Sequence, residues 1–219
     1  MVRKIDHIEH QKPKRFPIGK KIPKRNVLTE KEVKRLLRGK VVIEEKMDGR
    51  TIAFDAENFK IFAEDLKRQH SIRYRAPGRY AVFDVFDANR GVFLFPEEKE
   101  QIALDMRTGK LRVGENSGNV SPIMFFPVPR IETGTFTMEE LPALIGTSAY
   151  ALDEKTGEPA LMEGIVVKQF RDLFPEEFLA GKIVRSEFAD GIEVNYLRLP
   201  AKLNAIDPTV EVVLRLSRN

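Results

Sequence analysis

Three short runs in this chain bring together side chains that can do chemistry: Glu44-Glu45-Lys46-Met47-Asp48-Gly49-Arg50, Met162-Glu163-Gly164-Ile165-Val166-Val167-Lys168 and Lys182-Ile183-Val184-Arg185. In each, a Lys stands at one end of an apolar, β-branched stretch, from which a strand delivers a side chain into whatever cleft it borders. An amine placed there serves as a nucleophile once deprotonated, or as a fixed positive charge facing phosphate oxygens. Gly49, three residues after Lys46, lets the backbone turn sharply and approach a ligand closely. Glu163 brings a carboxylate to the other end of the Lys168 strand, where it suits a divalent cation with oxygen ligands.

Composition removes the other chemistries. The chain has no Cys, which excludes thiol nucleophiles, disulfides and Cys-built zinc sites and leaves His7, His10 and His70 as nitrogen ligands. His7 and His10 have a spacing that binds metal on a helix, but no third ligand stands nearby and they are read as surface residues. Neither GxxxxGK nor GxGxxG occurs, so a nucleotide would not be cradled by a P-loop or a Rossmann turn. Taken alone, Lys46-Met47-Asp48-Gly49 is also an ordinary hairpin turn.

The elements that must position these residues follow from patterning. Residues 1–26, centred on KPKRFPIGKKIPKR, are Pro-rich and basic and read as an extended segment that wraps over the fold. Thr29-Glu30-Lys31-Glu32 is a capping box, and Val33, Leu36 and Leu37 form the apolar face of a short helix ended by Gly39. VVIEEK (41–46), GRTIAFDA (49–56) and NFKIFAED (58–65) read as a meander with turns at Asp48-Gly49 and Glu57-Asn58. RYAVFDVFD (79–87) is the next strand, followed by a helix in PEEKEQIALDM, strands in KLRVGE and PIMFFPV, and a second boxed helix from Thr137 with Glu140. Beyond the polar loop DEKTGEP come a strand LMEGIVVK (161–168), a short helix in PEEFLAG and a strand KIVRSEF (182–188). The tail from Asp207 reads as a Pro-started helix or a strand. Meandering strands interrupted by helices indicate an α+β fold, with mostly antiparallel sheets flanked by helices.

With 219 residues, 42% apolar and 32% charged, the chain is expected to bury a sizeable core in one large domain. No apolar run approaches the roughly 20 residues of a membrane span, and no apolar h-region follows the basic start, so a cytoplasmic protein without membrane contact is expected. The net charge of +4 conceals an asymmetry, because residues 1–40 hold fourteen Lys and Arg against Asp6, Glu9, Glu30 and Glu32. Such a basic end either keeps a terminus solvated or contacts nucleic-acid phosphates without regard to sequence.

The order of the runs is more informative than any one of them. Lys-x-Asp-Gly, an aromatic Phe83-Asp84-Val85 strand, Glu163-Gly164-x-Val166-Val167-Lys168, then a Lys182-led strand is the motif order of the covalent nucleotidyltransferases. Over residues 41–188 the chain resembles that superfamily, which comprises ATP-dependent DNA and RNA ligases and mRNA capping enzymes. Ala63-Glu64-Asp65-Leu66-Lys67-Arg68-Gln69-His70-Ser71-Ile72-Arg73-Tyr74, with YAVFDVFD after it, resembles the RNA ligase branch related to nick-sealing phage RNA ligase. The resemblance implies the ligase and capping-enzyme nucleotidyltransferase fold, which is ATP-grasp-like, over residues 27–219 behind the basic segment 1–26. Only 31 residues follow Phe188, so no separate OB-fold or helical C-terminal domain is expected.

The same resemblance implies an ATP-dependent RNA ligase. Lys46 attacks the α-phosphate of ATP to form lysyl-AMP, AMP passes to a 5′-phosphate end, and a 3′-OH displaces it to seal the strand. An ordinary Lys, near pKa 10.4, is about 99.9% protonated at neutral pH, so a Lys nucleophile needs surroundings that favour the neutral amine. Glu163 is implied to organise Mg²⁺, with Mn²⁺ as a substitute, and Lys168 and Lys182 to neutralise phosphate charge. Phe83 is implied to stack on adenine and Glu64 to bind ribose hydroxyls, while Glu45 and Gly49 complete the nucleotide site. Phe83 also reads as core, and the Lys and Glu positions as strand-end ion pairs. The implied partners are RNA or DNA ends gripped by the basic segment of a monomeric enzyme.

Three positions depart from the pattern. The 37 residues from Lys46 to Phe83 leave AEDLKRQ to carry both an acidic and a basic motif, with Arg68 as the basic substitute. Thr51, beside Arg50, stands where relatives carry Arg or Asn. Val184 takes the second Lys of a KxK pair, and Arg185, one residue along a strand, faces the other side. Competing readings are a minimal DNA ligase, a GTP-using capping guanylyltransferase, and a nucleic-acid-binding module without catalysis.

Overall fold

A computed structural model describes residues 8–18, 26–114, 120–186 and 202–215 of the chain. The run that ends at Lys46 is paired on both sides: β2 (Val41–Glu45) lies between β9 (Arg130–Gly134) and β12 (Gly164–Gln169), antiparallel to each. Next to β12 comes β13 (Ala180–Val184), and the short β1 (Lys14–Arg15) adds to its edge in parallel. Successive strand residues face opposite sides. One face of this first sheet therefore carries Val41, Ile43, Ile165, Val167 and Ile183, which pack with Leu36 of α1 (Glu30–Leu36), Phe16 and Leu28 into one apolar cluster. The opposite face carries a registered row of Arg15, Lys182, Val166 and Glu44. The Thr29–Glu32 capping box that starts α1 is present in both directions.

The second sheet is a meander of β3 (Arg50–Ala56), β4 (Phe59–Asp65), β6 (Tyr80–Asp87) and β7 (Val92–Phe93), with β8 (Phe125–Pro127) parallel to β6. One face, with Phe54, Ile61, Val82 and Val85, is covered by Ala103 and Met106 of α2 (Pro96–Arg107). The other presents Phe62, Phe86 and Phe93 to Leu173, Phe178 and Ala180, which belong to the chain leading into β13. A third sheet joins β11 (Pro159–Leu161), β10 (Thr147–Leu152), β5 (Arg73–Ala76) and β14 (Ala205–Ile206). The fold is α+β, with mostly antiparallel sheets and two α-helices among the described residues. No helix of the described residues is long and apolar enough to cross a membrane.

The described part of the basic segment is built into the first sheet. Phe16 is 2% exposed, its amide donates to the Lys182 carbonyl at 3.1 Å, and Leu28 donates to the Arg15 carbonyl at 2.8 Å. Its ring lies against Gly181, where a Cβ would come 2.3 Å from a ring carbon. Pro17 is exposed, Ile18 packs on the cluster, and Ile22 lies outside the described residues. Phe16→Ala is therefore expected to cost about 3–5 kcal/mol in denaturant unfolding, the usual penalty for emptying a buried Phe site. A loss below about 1 kcal/mol would mean that the segment rests on the fold without stabilising it.

Several expected elements take other forms. Residues 110–114 make no strand, because Leu111 is drawn into the α2 cluster and Gly114 bonds the Asp55 carbonyl at 2.7 Å. Thr137 does donate to the Glu140 carboxylate at 2.8 Å, but a turn and the 3₁₀ helix Leu141–Leu144 follow instead of an α-helix. Gly146 and the start of β10 at Thr147 leave no length for one. PEEFLAG makes one turn, with Phe178 donating to the Phe174 carbonyl at 3.1 Å, since Ala180 already pairs in β13. In PIMFFPV a 3₁₀ turn, Pro122–Met124, precedes the strand. Residues 207–215 are neither helix nor strand beyond a bridge from Arg215 to Arg130, and Phe188 lies outside the described residues.

Candidate active site

Lys46 follows directly on β2, and its amide donates to the Gly164 carbonyl at 2.9 Å, which sets it beside the start of β12. Glu163 occupies the bend just before that strand, and its carboxylate Oε2 lies 2.5 Å from Lys46 Nζ. Gly164 is required there, because a Cβ would sit 2.1 Å from the Ile183 carbonyl oxygen. Arg185 braces the same bend, donating from Nε to the Met162 carbonyl at 2.8 Å. Val184 stands opposite Gly164 and shares the face of Lys182.

The Asp48-Gly49 turn is held from two sides. Asp48 N donates to the Tyr74 hydroxyl at 3.0 Å, and Asp48 Oδ2 accepts from Ser71 N at 2.7 Å. Gly49 N donates to Glu64 Oε1 at 3.1 Å, and a Cβ on Gly49 would come 2.6 Å from the Asp65 carbonyl oxygen. The His70-Ser71-Ile72-Arg73-Tyr74 run, read from the sequence as a motif without a role, thus fixes the loop that follows Lys46. Tyr74 is fully buried beneath it.

Between the first and second sheets lies a cleft of about 210 Å³ that opens to solvent. Glu45, Lys46, Glu64, Phe83, Lys168 and Lys182 line it, with Met47, Val128 and Val166 as apolar wall. Glu163 joins this group through Lys46, and Gly49 through Glu64. The Glu45 carboxylate accepts from Ser148 Oγ and from Ala149 N, and burial pushes its carboxyl up to about 7. Burial likewise raises Glu64 to about 7 and raises Glu163 despite the neighbouring Lys46 charge. Lys182 is lowered, first by burial and then by the charges of Lys46 and Arg15.

A bulge builds the inner wall. Phe62 stands opposite Asp84 and Ala63 opposite Val82, so Phe83 is the extra residue of β6. Strand alternation is broken there, and the adjacent Phe83 and Asp84 both face the cleft. The Phe83 carbonyl accepts from Lys168 Nζ at 2.7 Å, which also reaches Glu44 Oε2 at 2.8 Å and Asp84 Oδ1 at 3.0 Å. An ammonium has three donors, and all three are thereby taken. Burial opposes the Lys168 charge, but Asp84 and Glu44 outweigh it and hold its pKa above the ordinary value. Burial also opposes the Asp84 charge, yet Lys168, His10 and Lys99 outweigh it and bring its carboxyl down to about 2. Lys99 of α2 closes the network through Glu44.

His10 overturns its expected surface position. Its side chain is 7% exposed, Nε2 lies 2.6 Å from Asp84 Oδ2, and its ring sits 4.9 Å from the Phe83 ring centroid at 71°. Phe62, Phe93 and Phe178 complete an aromatic cage around it. Lys12 and Pro13 also line the cleft, which no sequence signal beyond the basic, extended character of the segment announced. His7 lies outside the described residues. Arg50 is exposed, 3.8 Å from Asp65, and Arg68 is exposed and outside the cleft lining, whereas Thr51 borders it with Oγ1 3.5 Å from Glu64 Oε2.

Among the described residues no three His, Asp or Glu side chains form a metal cage. Mg²⁺ needs none, since one or two carboxylates, waters and substrate phosphates hold it, and the carboxylate of Glu163, largely buried beside Lys46, would supply one such donor.

Compared with known protein families, the chain matches the RNA ligase family over residues 50–184, more than half of its length. Lys46 lies just ahead of the matched span, while Glu64, Phe83, Glu163, Lys168 and Lys182 fall within it. No curated protein and no solved structure matches the chain. A cleft walled by lysines and a Phe, with a family match across both sheets that form it, identifies the chain as a member of the RNA ligase family.

Proposed function

We propose that this chain is an ATP-dependent RNA ligase of the covalent nucleotidyltransferase type, with the corresponding ATP-grasp-like fold. It joins RNA 5′-phosphate and 3′-OH ends as a monomer in the cytoplasm. The observation that carries the reading is the approach of Lys46 Nζ to Glu163 at the rim of a cleft that also presents Lys182 and Phe83. The flat base of a nucleotide suits the slot between Phe83 and the apolar Met47, Val128 and Val166. Glu64, tied to Gly49 N, then accepts hydrogen bonds from ribose hydroxyls.

Lys46, as the neutral amine, attacks the α-phosphorus. The N–P bond forms, the α–β phosphoanhydride bond breaks, pyrophosphate leaves, and the amine releases its second proton. Without nucleotide, Lys46 rests in an ion pair with Glu163. Once Glu163 has another partner, the Lys46 amine is released from that pair and can face the α-phosphorus. Mg²⁺ at Glu163 supplies charge neutralisation to the phosphate oxygens when bound. Lys168, with its donors taken, holds Phe83 and the bulge in place.

Incubation with Mg²⁺ or Mn²⁺ and α-labelled ATP or GTP, followed by a denaturing gel, tests this reading. Covalent label from ATP, then its transfer to a 5′-phosphorylated RNA end, is the expected result. Label from GTP alone would point to a guanylyltransferase, transfer to DNA ends only to a DNA ligase, and no label from either to a binding module.

A further inference from the structure

The cations in and around the cleft fall into two groups. Lys168 and Lys99 are paired with Glu44, and Lys168 with Asp84 as well. Lys12, Arg15 and Lys182, by contrast, have no carboxylate within ion-pair distance among the described residues. These three are close to one another. Arg15 stands in register with Lys182 on the parallel β1–β13 edge, so both side chains leave the same face of the sheet. Lys12 lines the cleft together with Lys182 and Lys46. Lys182 is lowered by burial first and then by the charges of Lys46, Arg15 and Lys12, against an opposing influence of Glu163.

The segment that delivers Lys12 and Arg15 is fixed rather than draped. Phe16 is buried against Gly181, its amide bonds the Lys182 carbonyl, and the Arg15 carbonyl accepts from Leu28. Cations held on backbone of this kind are preorganised for an anion that arrives already multiply charged. Lys12 and Lys182 line the cleft beside Lys46, with Arg15 next to Lys182 on the same face of the sheet, and this placement favours a small polyphosphate over the backbone of a nucleic acid.

We infer that Lys12 and Arg15, together with Lys182, form a polyphosphate subsite that holds the β- and γ-phosphates of the bound nucleotide and the pyrophosphate released from it. The inference rests on the proposed adenylation in one respect only, that the α-phosphate lies at Lys46. When the α–β bond breaks, the bridging oxygen leaves with the pyrophosphate and its bonding electrons, and the negative charge that develops there meets fixed cations.

The test uses the full chain carrying Lys12→Ala and Arg15→Ala together, with Lys31→Ala on the exposed face of α1 as a control. Calorimetric titration with inorganic pyrophosphate, and separately with AMP, reads the two halves of the nucleotide site. Loss of two charge-assisted contacts is expected to weaken pyrophosphate binding by about tenfold or more and to raise the KM for ATP in self-adenylation similarly. AMP affinity, melting temperature and the control should not change. If the Ala pair lowers the melting temperature, Lys12→Met with Arg15→Met keeps the aliphatic stems and answers the same question. Unchanged pyrophosphate affinity overturns the inference, as does an equal loss of AMP binding. Loss of affinity for a 5′-phosphorylated RNA with pyrophosphate binding intact also overturns it, and assigns these residues to the polynucleotide. Should pyrophosphate bind through Lys12 and Arg15 while no covalent AMP ever forms, the subsite stands and the adenylation reading falls.

Discussion

Lys46→Ala is expected to take up no covalent nucleotide while remaining folded. The first expectation follows from the placement of the other cleft amines among the described residues: Lys168 has its three donors occupied, Lys182 sits one strand farther along the sheet, and Lys12 enters from the segment before β1. The second follows from Glu163, whose carboxyl is raised by burial and lowered by Lys46, so that removing Lys46 lets it rise further and eases the loss of its partner. Lys46→Arg separates charge from nucleophilicity. A guanidinium keeps the ion pair with Glu163 and the positive charge facing the phosphates, but it stays protonated and cannot attack phosphorus. Both variants should bind ATP and yield no label that survives denaturation. Label in the Arg variant would move the nucleophile elsewhere in the chain.

How much of this site could be read in advance depended on whether its geometry is local. Lys46 and Glu163 were legible because each adjoins the end of a β-branched strand, and strand ends border clefts whatever the rest of the fold does, whereas Lys182, expected to lead its strand, is the middle residue of β13. The glycines were legible for a similar reason. Gly49 and Gly164 lie where backbone from another strand comes within 2.6 and 2.1 Å of a would-be Cβ. What the sequence did not display was through-space packing. Nothing in YAVFDVFD announces that Phe83 is an extra residue opposite β4, yet that slip puts both Phe83 and Asp84 into the cleft. His10 looked like half of a weak metal motif on a mobile end. Its burial depends on four Phe rings drawn from four places in the chain. The 3₁₀ turn after Thr137 failed as a helix because the local capping signal was real but the strand at Thr147 claimed the residues that would have extended it.

A large effect on stability is also expected at Lys168, which the motif order alone assigned to phosphate chemistry. Its ammonium is enclosed by Glu44, Asp84 and the Phe83 carbonyl, and all of these are buried or nearly so. Lys168→Met keeps the stem but strands two carboxylates, with Lys99 and His10 left as their remaining partners. Breaking one side of a buried charge network of this kind costs about 3–5 kcal/mol. The acid limb of the stability curve distinguishes this role from a purely catalytic one. Asp84 has a folded pKa of about 2 against an ordinary 3.8, so its contribution is present above pH 3.8 and is lost as the pH falls towards 2. Without Lys168 the largest influence holding that pKa down is gone, and Asp84 protonates at higher pH in the folded state. The stability gap between the wild type and Lys168→Met should therefore be widest above pH 3.8 and narrow as the pH falls to 2. Denaturant midpoints measured across that range decide the matter. A variant that loses ligation but unfolds with the wild type at every pH would return Lys168 to the phosphates and leave the Phe83 bulge to be held by His10 and the β4 ladder alone.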